Sequence, residues 1–358
     1  MKNMKKRIAA IMTTACLAVT MLTGCGKESS SDGKPASAGE LNIFVWTEYV
    51  PDSVIKAFED ETGIKVNVST YSSNEDMLAK VKSESAGAYD IVLPSDYMVE
   101  QMIGQDMLAE LDFEKLPNFK NIGDSFKNPA YDPGNKYSVP YLGGACAIAV
   151  NKDKVDKEIK SYADLFDPSL EGKLVVLDDF RAVIGITNKA CGYDLNETDK
   201  TKLDETGNKL MELKKNVVLY DSDSPKSALI SGDCDAGMIW SAEIALAMEE
   251  VPSIEVVYPT EGALIFQDNW CVTKEAKNYD NAMAFIDYMM KPESMVMVLE
   301  EFPYMCANTE AVKMMGDAYS SNPAKNPPAE VVAGGTYVGN LDSDVLEIYS
   351  EMWTKLKE

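Results

Sequence analysis

Histidine is absent from all 358 residues. That excludes Ser-His-Asp and Cys-His nucleophilic catalysis and every His-ligated metal site. Positive charge is scarce as well: 34 Lys and Arg stand against 58 Asp and Glu, a formal net charge of −24. Nucleic-acid binding needs a basic footprint, so no nucleic-acid partner is expected. Cysteine is thinly spread, at Cys16, Cys25, Cys146, Cys191, Cys234, Cys271 and Cys306, without a CxxC pair. The last five are an odd number at wide spacing, which is not a disulfide framework; they read as small buried apolar residues. There is no internal repeat and no second long hydrophobic run after the first 25 residues. No cofactor and no metal site are expected.

What is present begins with an address. Lys2, Lys5, Lys6 and Arg7 precede an apolar run from Ile8 to Leu22. That run suits a signal-peptide core and falls short of the roughly 20 residues that span a membrane comfortably. Leu22-Thr23-Gly24-Cys25 resembles a bacterial lipoprotein box, which makes residues 1–24 the signal and Cys25 the lipidation point. Residues 25–39 are rich in Gly, Ser, Lys and Pro and read as a lipidated cysteine with a flexible tether. Loss of residues 1–24 leaves 30 basic against 58 acidic residues. Such a surface is not drawn to anionic lipid, so acyl chains must anchor it. The expected location is the outer face of the bacterial cytoplasmic membrane.

From residue 40 onward short apolar runs alternate with amphipathic stretches. Strands are expected at Leu41–Trp46, Ile64–Ser69 and Tyr89–Leu93, and helices at Asp52–Asp60, Asn74–Ser83 and Tyr97–Ile103. This order predicts a parallel, helix-covered sheet. A second unit follows the Pro140 region. Its expected strands are Ala145–Val150, Leu174–Leu177, Val217–Tyr220, Cys234–Trp240, Glu255–Tyr258, Leu264–Gln267 and Trp270–Thr273. Helices are expected at Phe180–Ala190, Lys200–Lys214 and from Pro225. The rest is mostly helical and ends in Asp344–Leu356, whose stripe of Val345, Ile348, Tyr349, Met352, Trp353 and Leu356 reads as a packing face. Two α/β lobes imply a ligand cleft between them, beyond the carboxyl ends of the strands.

Five of those ends carry an aromatic, an acid or both. They are Trp46-Thr47-Glu48-Tyr49, Pro94-Ser95-Asp96-Tyr97, Asp178-Asp179-Phe180-Arg181, Trp240-Ser241-Ala242-Glu243 and Gln267-Asp268-Asn269-Trp270. Each has a plainer reading. Thr47, Ser95, Asp179 and Ser241 could be helix N-caps, Glu48 and Glu243 could complement helix dipoles, and Trp240 and Trp270 could be core. A core does not need acids beside its tryptophans, however. Together the residues suit an organic cation: carboxylates take up ammonium donors, and aromatic faces flank the alkyl stem at about 0.5–2 kcal/mol per contact. An anion site would leave its helix N-termini bare or Gly-rich. Sugar sites also combine aromatics with acids, so these side chains alone favour a cation only modestly.

The segments FVWTEYVPDSVIKAFEDETGIKV, YSSNEDMLAKVKS, GAYDIVLPSDYMV, YDPGNKYSVPYLGGACAIAVN, GMIW and IYSEMWTKLK resemble the spermidine/putrescine-binding lipoproteins of ABC importers, over nearly all of residues 40–358. The resemblance implies an α/β, two-lobe periplasmic-binding-protein fold and capture of a polyamine, which a permease and its cytoplasmic ATPase then import. It implies no enzyme activity, and a monomer is expected. The lobes would be 40–143 with about 269–312, and about 144–268 with 313–358. Position by position, Trp46 and Tyr49 match aromatic walls, with Thr47 and Glu48 as polar contacts. Ser95 and Tyr97 match lining of the first lobe. Asp179 and Asp268 match acids that hold ammonium ends, and Trp240 and Tyr304 match further walls. Three departures stand out. Ala182 replaces a usual Glu, Phe266 replaces a usual Trp, and no glutamine is evident near Gly339. Glu243 could restore a charge. The alternatives are fewer positive centres in the ligand, or another organic cation, a sugar or ferric ion on the same scaffold.

Overall fold

The computed structural model describes residues 39–358. The expected signal peptide, Cys25 and most of the expected tether lie outside the described residues. Eleven strands among the described residues join one sheet. They are β1 (Glu40–Trp46), β2 (Lys65–Tyr71), β3 (Ile91–Val92), β4 (Ser138–Asn151), β5 (Leu174–Val176), β6 (Val217–Tyr220), β7 (Ala236–Trp240), β8 (Ile254–Val257), β9 (Leu264–Val272), β10 (Met305–Cys306) and β11 (Thr336–Tyr337). Their order is β2-β1-β3-β9-β4-β7-β5-β6, with β8 and β10 added on β4 and β11 on β9.

The sheet is two parallel halves stitched by antiparallel strands. β1 pairs parallel with β2 and β3, and β5 pairs parallel with β6 and β7. β9 runs antiparallel to β3, β4 runs antiparallel to β7, and β4 and β9 pair antiparallel with each other. Parallel pairing demands crossovers, which the chain makes with helices Asp52–Thr62, Asn74–Ser83 and Phe180–Ala190 among others. Each half has its own core. One gathers Leu41, Ile43, Phe58, Trp270 and Phe285; the other gathers Ile148, Val175, Leu210, Ile239 and Tyr349. The C-terminal helix Ser343–Lys357 buries Val345, Tyr349, Met352 and Leu356 in the second core, the packing role its stripe suggests.

Two expectations are corrected at the junction. Leu264–Gln267 and Trp270–Thr273 are not separate strands, because β9 runs unbroken through Asp268. β4 starts at Ser138, well before Ala145, despite Pro140 and the Gly143-Gly144 pair. The two strands slip register between Pro140 and Gly143, which absorbs the proline. Gly143 is required there, since a Cβ would come within 2.7 Å of the Phe266 carbonyl oxygen. The helix Ser241–Glu250 follows β7 directly, with Trp240 rather than Ser241 at its N-cap and no side-chain cap hydrogen bond. The five described cysteines are free, and four of them are buried.

Two acids in the recognisable motifs are architectural. Asp90 of YDIVLPS is fully buried and accepts the backbone N–H groups of Asn42 and Asn278, each at 2.9 Å. Asp132 of the YDPGNKYS turn accepts the N–H groups of Lys136, Tyr137 and Ser138 at 3.0, 3.0 and 2.9 Å, and the Ser138 hydroxyl at 2.6 Å. This carboxylate folds the turn that launches β4. Asp132→Ala should therefore lower the unfolding free energy by about 2–4 kcal/mol, because several buried donors lose their acceptor together. Urea denaturation checks this, and a change under about 0.5 kcal/mol would show the turn to be held by other means.

Candidate ligand-binding cleft

The carboxyl ends of the parallel strands from both halves face one cleft of about 730 Å³, mouth included. Trp46 enters it from the end of β1, Thr47 and Tyr49 from the turn that follows, and Ser95 and Tyr97 from the segment after β3. Asp179 enters after β5, Trp240 at the end of β7, Phe266 and Asp268 from β9, and Tyr304 just before β10. Ten of the twelve candidate ligand residues thus share one hollow.

The aromatic rings pack edge to face. Tyr49 and Tyr304 lie 5.0 Å apart between centroids, and Trp240 and Phe266 also 5.0 Å. Trp46 is fixed by its Nε1, which donates to the Leu93 carbonyl at 2.9 Å, and by the Tyr71 ring at 4.6 Å. Trp270, by contrast, is core. Asp268 is only 4% exposed. Its oxygens accept from the Ser95 hydroxyl at 2.6 Å and the Tyr49 hydroxyl at 2.7 Å, and Ser95 is held in turn by Asn74 at 3.0 Å. Ser95 therefore orients an acid and makes no side-chain cap hydrogen bond. Asp179 does both jobs: it caps helix Phe180–Ala190 through the Ala182 N–H at 3.0 Å, and it lines the cleft.

Glu48 and Glu243 are not in the wall. Both carboxylates turn onto Lys226, each at 2.9 Å. The cleft also contains Asp96 and Arg181, which stand in the quoted strand ends but were not assigned a ligand contact, and residues at ends that were passed over: Ser72 and Asn74 after β2, and Ser222 with Asp223 after β6. The end of β6, Tyr220-Asp221-Ser222-Asp223, carries the same signature of an aromatic with acids and could have been found that way. Arg181, 4% exposed, lies over the Tyr97 ring at 5.1 Å, donates to the Gly339 carbonyl at 2.5 Å and pairs with Glu75 at 3.6 Å. Through this contact the Gly339 segment reaches the cleft, with Val338 in its wall.

Residues 53–328 match the family of bacterial extracellular solute-binding proteins. The spermidine/putrescine-binding periplasmic protein of Escherichia coli K12 is 37% identical over 318 residues, spanning 88% of this chain and 91% of its own. The chain belongs to the bacterial extracellular solute-binding proteins. The spermidine/putrescine-binding periplasmic protein 1 of Haemophilus influenzae is 34% identical over 358 residues, 98% of this chain and 99% of its own. A solved structure from Listeria monocytogenes, described as a spermidine/putrescine ABC transporter, superposes with a TM-score of 0.85 at 34% identity, covering 89% of this chain and 98% of its own. The fold of this solute-binding protein is the two-lobed periplasmic-binding-protein fold with its cleft between the lobes.

The charge in the cleft is lopsided. Asp96, Asp179, Asp223 and Asp268 line it against a single guanidinium, and Arg181 already faces Glu75. Burial pushes the Asp268 carboxyl up to about 7, although its two hydroxyl partners pull it back. Burial raises Asp96 and Asp179 as well, and burial with Asp179 nearby takes Glu75 to about 7. An ionised acid in such surroundings is costly until a positive group arrives. A carboxyl whose folded pKa lies above its unfolded value costs stability as pH rises from the unfolded to the folded pKa, here from about 4 to about 7. Asp268→Asn should therefore gain on the parent by up to about 1.4 kcal/mol per pH unit across that window, then level off above pH 7. Denaturant titrations of the two proteins from pH 4.5 to 8 measure the difference; a constant offset would mean Asp268 is ionised throughout.

Proposed function

We propose that this protein captures a linear diamine or polyamine outside the membrane, closes its lobes around it and delivers it to an ABC permease served by a cytoplasmic ATPase. The observation that carries this reading is Asp268: a buried carboxylate at the strand junction, supplied with two hydroxyl donors, walled by aromatic rings and lacking a cationic partner among the described residues. An ammonium group supplies both the missing charge and further donors, and an alkyl stem suits the rings of Trp46, Trp240 and Tyr304. The names of the E. coli and H. influenzae relatives point to the same ligand class. We place the closing lobes at 40–143 with about 269–312 and about 144–268 with 313–358. Tyr319 packs in the first core and is best counted with the first lobe. The protein acts as a monomer in this reading and catalyses nothing.

Isothermal titration with putrescine, cadaverine, agmatine and spermidine tests the reading, and silence toward all four would remove it. Asp268→Asn should weaken binding by at least about 30-fold, since losing one partner of a buried charged contact costs about 2–5 kcal/mol. Retained affinity would make Asp268 structural only.

The anchoring also belongs to this proposal. Cys25 carries lipid and holds the protein at the outer face of the membrane, by the pattern of basic head, apolar run, small residues and cysteine. In fractionated bacteria the full chain should sediment with membranes and Cys25→Ala should not; equal partition of the two would refute lipidation at Cys25.

A further inference from the structure

Lys226 opens the short helix Lys226–Ser231 in the second half of the sheet, next to the β6 end that lines the cleft. Its ammonium lies 2.9 Å from Glu48, 2.9 Å from Glu243 and 3.0 Å from the Ser224 hydroxyl, so three acceptors meet its three N–H donors. The lysine side chain is 18% exposed and that of Glu243 is 2% exposed. Glu48 comes from the first half, on the turn that also presents Trp46, Thr47 and Tyr49. It adopts a left-handed backbone (φ +50°) that a non-glycine residue seldom takes. Glu48 stands between the lining residues Thr47 and Tyr49, and Glu243 follows the lining residue Trp240 by one turn, so the cluster lies beside the cleft, just behind its wall. Burial opposes charge on Lys226, but Glu243 and Glu48 outweigh it and hold its pKa above the ordinary lysine value.

Two carboxylates and a hydroxyl around a largely buried ammonium are the surroundings an end of a polyamine would need. Here the protein fills them with its own side chain. We propose that Lys226 is a specificity-determining residue: a built-in ammonium that occupies the Glu48–Glu243 pair beside the cleft, keeps that pair from extending the cleft by one cationic subsite and so selects diamines over the longer triamine. Ala182 fits the same economy of charge, since the cleft end of helix Phe180–Ala190 brings one carboxylate, that of its N-cap Asp179, into the lining. Removing the lysine should open the Glu48–Glu243 pair to a third amino group of the ligand.

The inference rests on the polyamine reading, and calorimetric titration of the parent, K226M and K226M/E243Q with putrescine and spermidine at pH 7.5 separates the two. The parent should bind putrescine at least tenfold more tightly than spermidine. K226M should shift that ratio at least tenfold toward spermidine, and K226M/E243Q should lose most of the shift. A parent that prefers spermidine, or a folded K226M with the parent's ratio, overturns the role of Lys226 and leaves polyamine capture standing. A parent that binds neither amine, nor cadaverine nor agmatine, overturns polyamine capture itself. If K226M shows no cooperative melting, the parent's own preference decides.

Discussion

β4 and β9 are the strands that carry the chain between two otherwise parallel half-sheets, and they pair with each other across a register slip between Pro140 and Gly143. Asp268 lies on β9 opposite that slip. Its side chain is held by Tyr49 and Ser95 from the first half, its backbone also bridges Ser95, and the strand that carries it pairs with β4, which reaches β7 of the second. In the capture proposed above, the bend that closes the lobes passes through this junction, and a cation held by Asp268 would neutralise the acid at the place where the two halves meet. Close backbone approach at Gly143 and the aromatic contacts of Phe266 with Trp240 and Tyr304 keep that place narrow.

The chain holds many acids, and the structure sorts them by what they accept. Asp90 and Asp132 are as buried as Asp268, yet their lone pairs are taken up by backbone N–H groups that would otherwise go without partners. Such acids are part of the frame. Asp268 has only two hydroxyls, each of which could find another acceptor. Glu48 and Glu243 share a lysine, and Glu75 shares Arg181. Burial alone does not mark a binding carboxylate. The distinguishing feature is burial without a cation or a set of backbone donors.

Much of this was legible in the sequence because strand ends are local. β1, β3, β5 and β7 stop where apolar runs meet Thr47, Ser95, Asp179 and Ser241, and each end does open onto the cleft. Asp268 was reached through a strand break that does not exist; it faces the cleft from the middle of β9, at a junction set by pairing between residues more than a hundred positions apart. The same limit hid the fate of Glu48 and Glu243. Their partner Lys226 lies 178 and 17 positions away, and no periodicity connects them. Asp90 and Asp132 stood inside the most recognisable motifs, but Asp90 ties β1 to the Asn278 segment and Asp132 holds a turn, which motif strength does not reveal.

The overall acidity and the buried acids act over different ranges. A net charge of −24 sets up a potential that gathers cations near the surface and speeds their encounter, and salt screens it beyond about 8 Å at physiological ionic strength. That field is indifferent to the shape of the cation. Asp268, at 4% exposure, lies where screening is weak, so a group can pair with it only after passing the aromatic walls and shedding its water. In the proposed capture, surface charge thus governs how often a cation arrives, while the junction governs which one stays. The exposed ion pairs scattered over the molecule, such as Lys56–Asp60 and Lys313–Glu310, contribute to neither, because solvent screens them and their side chains are free to move.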